Sequence, residues 1–143
     1  VSVKEPSEIR ALEGANLTCS EFSSPQLNVF HSGTGKVFLD NINCPWIYLQ
    51  QNGSGTCFLK GSRTEILEVE LEGNGNLDAS DLEVGSAKVI HQGSGSIQIN
   101  SMQWLDARIL SSGSILLYRD PEKMVIEQKG SGRIRSLFTK MKE

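Results

Sequence analysis

A pair of glycines returns along this chain at an almost constant interval. Gly33 and Gly35, Gly53 and Gly55, Gly73 and Gly75, and Gly93 and Gly95 begin twenty residues apart. Ser112-Gly113 continues the series after eighteen residues, and Gly130 with Gly132 after nineteen. A weaker copy, Gly14-Ala15, precedes them. A fixed period of this length marks a repeat architecture, in which each copy buries its apolar face only against its neighbours. It also excludes the first meaning a Gly-x-Gly suggests. Six copies cannot be six phosphate loops. In the one copy that approaches a nucleotide motif, Phe30 and Val37 stand where a glycine and a hydroxyl residue are required.

Aligning the copies on the second glycine produces apolar columns. Two residues after it stand Leu17, Val37, Cys57, Leu77, Ile97, Ile115 and Ile134; four after it stand Cys19, Leu39, Leu59, Ala79, Ile99 and Leu117. Eight before it stand Leu27, Ile47, Leu67, Ala87, Leu105 and Met124; six before it stand Val29, Leu49, Val69, Val89, Ala107 and Ile126. Polar residues lie between, as in Glu68-Val69-Glu70-Leu71-Glu72, so each copy holds two strands with one buried face. A further apolar position seven after the glycine (Phe22, Ile42, Leu82, Met102) predicts a short third side, with the two missing residues of the eighteen-residue copy lost between Met102 and Leu105. The expected fold is all-β: a right-handed parallel β-helix of six to seven coils, stacked about 4.8 Å apart. In it Gly33, Gly35, Gly53, Gly55, Gly73, Gly75, Gly93, Gly95, Gly113, Gly130 and Gly132 are corners.

One domain is expected over residues 1–143, with residues 137–143 as a C-terminal cap through Leu137, Phe138 and Met141. The N-terminal stretch shows no comparable cap; an open end there fits either a further segment before Val1 or head-to-tail stacking. Net charge is −3 without a Lys/Arg cluster, which speaks against nucleic acid. No apolar run approaches the roughly 20 residues of a membrane-spanning helix. The three cysteines, Cys19, Cys44 and Cys57, have no C-x-x-C spacing and read as small buried hydrophobes.

Candidate chemistry is sparse. His31, Gln51, Leu71, His91, Ile109 and Gln128 share an inward column next to the corners. His31 and His91 fall three coils apart, roughly 14 Å, too far for one metal ion, so bonding to the turn backbone is the expectation. Neither a metal nor a cofactor is expected. Glu68, Glu70 and Glu72 project outward as a solvated acidic strand, and Asp78 and Asp81 lack the calcium-binding nonapeptide around them. The aromatics are the strongest binding signal. Phe38 and Phe58 occupy one outward position in adjacent coils, Phe30 and Tyr48 are outward by parity, and Trp46 and Trp104 share a column nine before the corner. Exposed aromatic ribs suit stacking on sugar rings or docking of a surface protein.

The repeated "GSGSI", "GNGNLDASDL" and "LDARILSSGSI" resemble the auto-transporter adhesin head GIN domain family of bacterial proteins. The match is closest over Gly75-Asn76-Leu77-Asp78-Ala79-Ser80-Asp81-Leu82 and runs over roughly residues 5–137. The resemblance implies a right-handed parallel β-helix and an exported protein of the envelope or cell surface, in the periplasm, on the outer membrane or outside the cell. It brings no catalytic residues. Cys44-Pro45-Trp46 departs from the family pattern. The expected role is therefore non-enzymatic binding or adhesion toward polysaccharide, cell-wall polymer or a surface protein. Two alternatives stay open: end-to-end self-assembly as in bactofilins, and cleavage of polysaccharide by a carboxylate pair.

Overall fold

The computed structural model describes residues 7–11, 14, 16–22, 26–119 and 121–136. Among them all regular structure is β-strand: β1 (Ser7–Ala11), β2 (Leu17–Phe22), β3 (Gln26–Gly33), β4 (Lys36–Ile42), β5 (Trp46–Gly53), β6 (Thr56–Gly73), β7 (Asn76–Gly93), β8 (Ser96–Ile109), β9 (Ser114–Leu117), β10 (Lys123–Gln128) and β11 (Ile134–Ser136). Every pairing between them is parallel. The chain is a parallel β-solenoid.

One face stacks β1, β3, β5, the second halves of β6, β7 and β8, and then β10. A second face stacks β2, β4, the first halves of β6, β7 and β8, then β9 and β11. The columns expected from the repeat are the hydrogen-bonded registers. Leu27, Ile47, Leu67, Ala87 and Leu105 follow one another, as do Val37, Cys57, Leu77, Ile97 and Ile115. All ten are at most 1% exposed. Alternation puts every second side chain into one shared core, and each coil rests only on its neighbours.

A short third side closes the coil. Arg63 and Thr64 pair with Glu83 and Val84, which pair with Asn100 and Ser101. The Thr64 hydroxyl donates to the Cys44 carbonyl at 2.6 Å, and the Glu65 and Ile66 N–H groups donate to Pro45 O at 3.0 Å each. Buried backbone groups at this side therefore find partners in the preceding coil.

Two expectations are corrected. The eighteen-residue copy does not lose its residues between Met102 and Leu105. Register runs from Ala79↔Ile99 to Glu83↔Asn100, a loss of three, and then from Val84↔Ser101 to Ser86↔Trp104, a gain of one. The side chain facing Val84 is thus Ser101, fully buried and donating to Trp104 O at 2.7 Å, while Met102 is only half-buried. Among the described residues the closed core also spans about five turns, from Leu27 to Leu117, rather than six to seven. In β10 the inward-parity residues Met124 and Ile126 are 47% and 42% exposed, with Val125 at 49%. Among the described residues β10 has a strand neighbour, β8, on one side only, so parity alone does not bury it. The expected cap at residues 137–143 lies outside the described residues.

Candidate functional site

The corners come first, because they position the surface columns. Gly33, Gly53 and Gly73 have φ of 108°, 112° and 90°, a region that side chains other than glycine rarely enter. The second glycine of each corner is set by crowding. A Cβ on Gly55 would lie 2.2 Å from Gly35 O and 2.7 Å from the His31 ring. The buried polar column explains that contact. Gln51 Nε2 donates to Gly55 O at 2.8 Å and to Asn76 O at 3.1 Å, His91 Nε2 bonds Gly95 O at 2.8 Å, and Gln128 Nε2 donates to Gly132 O. Each such side chain reaches its own corner carbonyl, and Gln51 and His91 also lie beneath the next corner, where a Cβ on Gly75 or Gly113 would meet them. Gln51, His91 and Gln128 thus bond the turn backbone, as expected of the polar members of the column.

His31 is 2% exposed and has neither ring nitrogen in a hydrogen bond, although the Gly35 carbonyl is close enough to favour its protonated form. Burial holds both His31 and His91 below the ordinary histidine pKa, partly offset by the carbonyls of Gly35 and Gly95. In register, Gln51 and Leu71 separate the two rings, and among the described residues no three His, Cys, Asp or Glu side chains gather to hold a metal ion.

The aromatics expected to bind a ligand divide between the two faces. Phe38 and Phe58 are register partners on the second face, with ring centroids 4.5 Å apart and planes 3° from parallel. That is a stacked pair at about one coil spacing, and Phe38 is still 40% exposed. Beside it runs a shallow groove of about 210 Å³, lined by Thr18, Phe38, Leu39, Asp40, Phe58 and Lys60. The rings form one wall. Asp40 and Lys60, two residues on from each ring, form the other, because side chains at i and i+2 share a strand face. Reading the columns for aromatics alone does not bring in Asp40 and Lys60. The i+2 spacing is the signal that would have done so.

Phe30, Tyr48 and Trp46 lie on the first face. Phe30 and Tyr48 meet edge to face at 6.2 Å and 71°. The Tyr48 hydroxyl donates to Glu70 Oε2 at 3.0 Å. Burial pushes the phenol pKa up, and the hydrogen bond to Glu70 and the charges of Glu70 and Glu68 add to it. Trp46 is 41% exposed at the start of β5. Its register neighbour Ile66 is 38% exposed, as is Trp104 two coils further on.

Glu70 is thus engaged by Tyr48 in a hollow of about 60 Å³ with Glu68, Lys88 and Ile90. Asp78 accepts from the Ser80 N–H at 3.1 Å and hydroxyl at 2.7 Å, and Asp81 lies 3.9 Å from Lys60. Cys44 and Cys57 are buried, and full burial pushes the Cys57 thiol up to about 12. The side chain of Cys19 lies outside the described residues.

A family model described as "Putative auto-transporter adhesin, head GIN domain" matches residues 1–121. Among solved structures, a putative adhesin from Bacteroides fragilis superposes with a TM-score of 0.74 at 18% identity, over 94% of each chain. Among curated proteins, none matches.

Proposed function

Because this chain belongs to the family of auto-transporter adhesin head GIN domains, an adhesin-like family of surface proteins, we propose that it is an exported, non-catalytic binding protein whose ligand is a polysaccharide or cell-wall polymer. The observation that carries the reading is the stacked Phe38–Phe58 pair facing Asp40 and Lys60 across the groove. A pyranose ring has an apolar C–H face and a rim of hydroxyls. The ring wall suits the first; a carboxylate acceptor and an ammonium donor suit the second. The groove is open and shallow, which fits a segment of a longer chain better than an enclosed small molecule. The solenoid supplies rigidity, since both walls are strand positions held by coil-to-coil hydrogen bonds.

The test is a binding screen of purified protein against neutral and acidic glycans and cell-wall polymers, with the Phe38→Ala/Phe58→Ala double variant alongside. Both rings are at the surface, so the variant should keep its far-ultraviolet circular dichroism and unfolding midpoint. The expected result is a loss of at least about tenfold in the affinity of this groove, about 1.4 kcal/mol. Unchanged binding by the folded variant overturns the assignment of the site. A particle size that grows with concentration, with no glycan bound, would favour end-to-end assembly through the exposed Met124–Val125–Ile126 rung.

A further inference from the structure

We propose that the solenoid carries a second polymer track, the column Trp46–Ile66–Ser86–Trp104 on the first face, and that with the Phe38–Phe58 groove it joins two neutral polysaccharide chains. This rests on the glycan reading above.

Trp46 pairs with Ile66, Ile66 with Ser86 and Ser86 with Trp104. The four side chains therefore lie in one line along the axis, with the two indoles three coils apart, roughly 14 Å at about 4.8 Å per coil. Trp46, Ile66 and Trp104 are among the few large apolar side chains left substantially exposed. Single exposed hydrophobes are ordinary, but three of four successive positions in one register column form a stripe.

Charge and shape select the occupant. From Gln26 through Trp46, Ile66 and Ser86 to Trp104, five successive register positions carry no charge, and Lys123 is the first that does. The same coils carry charge two positions along, at Glu68, Lys88 and Asp106. Desolvating a charge without a partner is costly, so the uncharged line fits an uncharged ligand. The line repeats at the coil spacing. An extended β-linked glycan advances by close to one coil per sugar, so its rings reach both indoles in register.

The two tracks belong to different faces of the solenoid, and the inward residues of both faces pack in the same core. Their outward sides point away from that core in different directions. A single straight chain lying along the axis cannot occupy both. Two tracks therefore mean two chains, and a monomer that cross-links.

The experiment uses hydroxyethylcellulose and glycol chitin as soluble neutral polymers, with the hexasaccharides of cellulose and chitin for stoichiometry. The proteins are wild type, Phe38→Ala/Phe58→Ala, Trp46→Ala/Trp104→Ala, and Ile66→Lys, which sets a charge in the track without removing an indole. Wild type is expected to bind two hexasaccharides and to raise the light scattering of the polymer. Each double variant is expected to bind one and to raise scattering at least about fivefold less, and Ile66→Lys to behave like the tryptophan variant. A tryptophan variant with unchanged stoichiometry and scattering, while the phenylalanine variant is impaired, overturns the second track and leaves the first reading intact. Loss of all binding in the tryptophan variant alone overturns the two-chain model and the Phe38–Phe58 assignment together. No binding by wild type overturns both readings for neutral polymers.

Discussion

Replacing Gly53 with alanine tests the physical basis of the repeat. Gly53 sits at φ 112°, and an added Cβ would lie 2.6 Å from Gly33 O and 2.8 Å from Gly33 N. Neither obstruction is a flexible side chain. Gly33 O also accepts from Ser54 N at 3.0 Å and Gly55 N at 2.9 Å, so moving it weakens the bonds that set the coil spacing. Holding a non-glycine residue in this backbone region costs about 1–3 kcal/mol, and forcing the extra methyl into packed backbone about 1–3 kcal/mol more. The expected loss is about 2–6 kcal/mol, which lowers a urea midpoint by about 1–3 M at a slope near 2 kcal/mol per M. Gly14→Ala is the control, because among the described residues its Cβ would meet just the Thr34 hydroxyl, at an ordinary 3.6 Å. The assay is urea unfolding followed by circular dichroism, with both variants beside wild type. A Gly53→Ala midpoint within about 0.25 M of wild type, about 0.5 kcal/mol at that slope, would refute the reasoning, as would equal losses for the two variants.

Two further outcomes follow from buried titratable groups. Burial lowers the pKa of His31 and His91 in the folded chain, so between their folded values and the unfolded value of about 6.5 the unfolded chain holds more protons. Stability should therefore decline as pH falls from 7 to 5, and His91→Gln, which can donate to Gly95 O as Gln51 does to Gly55 O, should flatten that decline. Urea midpoints that stay level over this range, or a decline that His91→Gln leaves as steep, would contradict it. Cys57, fully buried with its thiol pushed up to about 12, should resist iodoacetamide at pH 8 until the chain is unfolded. Mass spectrometry of peptides containing Cys57 checks this, and native labelling at the rate of a free thiol would count against the burial.

Much of the candidate site was legible because a solenoid converts sequence period into spatial adjacency. Phe38 and Phe58 are twenty residues apart and therefore neighbours; the same rule lines up Trp46 with Ile66. The composition of each groove was harder to read. Asp40 and Lys60 carry no distinctive pattern, and they matter only because the ring pair stands beside them. The division of Phe30, Tyr48 and Trp46 from Phe38 and Phe58 was implicit in their positions before and after the corner, but both sets count as outward by parity.

The sequence by itself determined the class of fold and the coil register, since a period of twenty with two alternating strands has one economical solution. It also determined where the chain turns, because only glycine meets the positive φ of Gly53 or the crowding at Gly55. Tertiary structure decided what a period cannot encode. It placed the shortening of the irregular coil after Ile99, where Ser101 rather than Met102 faces Val84. It left Met124 and Ile126 exposed, although their parity points them inward, because among the described residues β10 has a strand neighbour on one side only. It also set the ring planes of Phe38 and Phe58 3° from parallel and bonded Tyr48 to Glu70. Periodicity specifies which backbones meet; side-chain packing across that meeting specifies what the surface can hold.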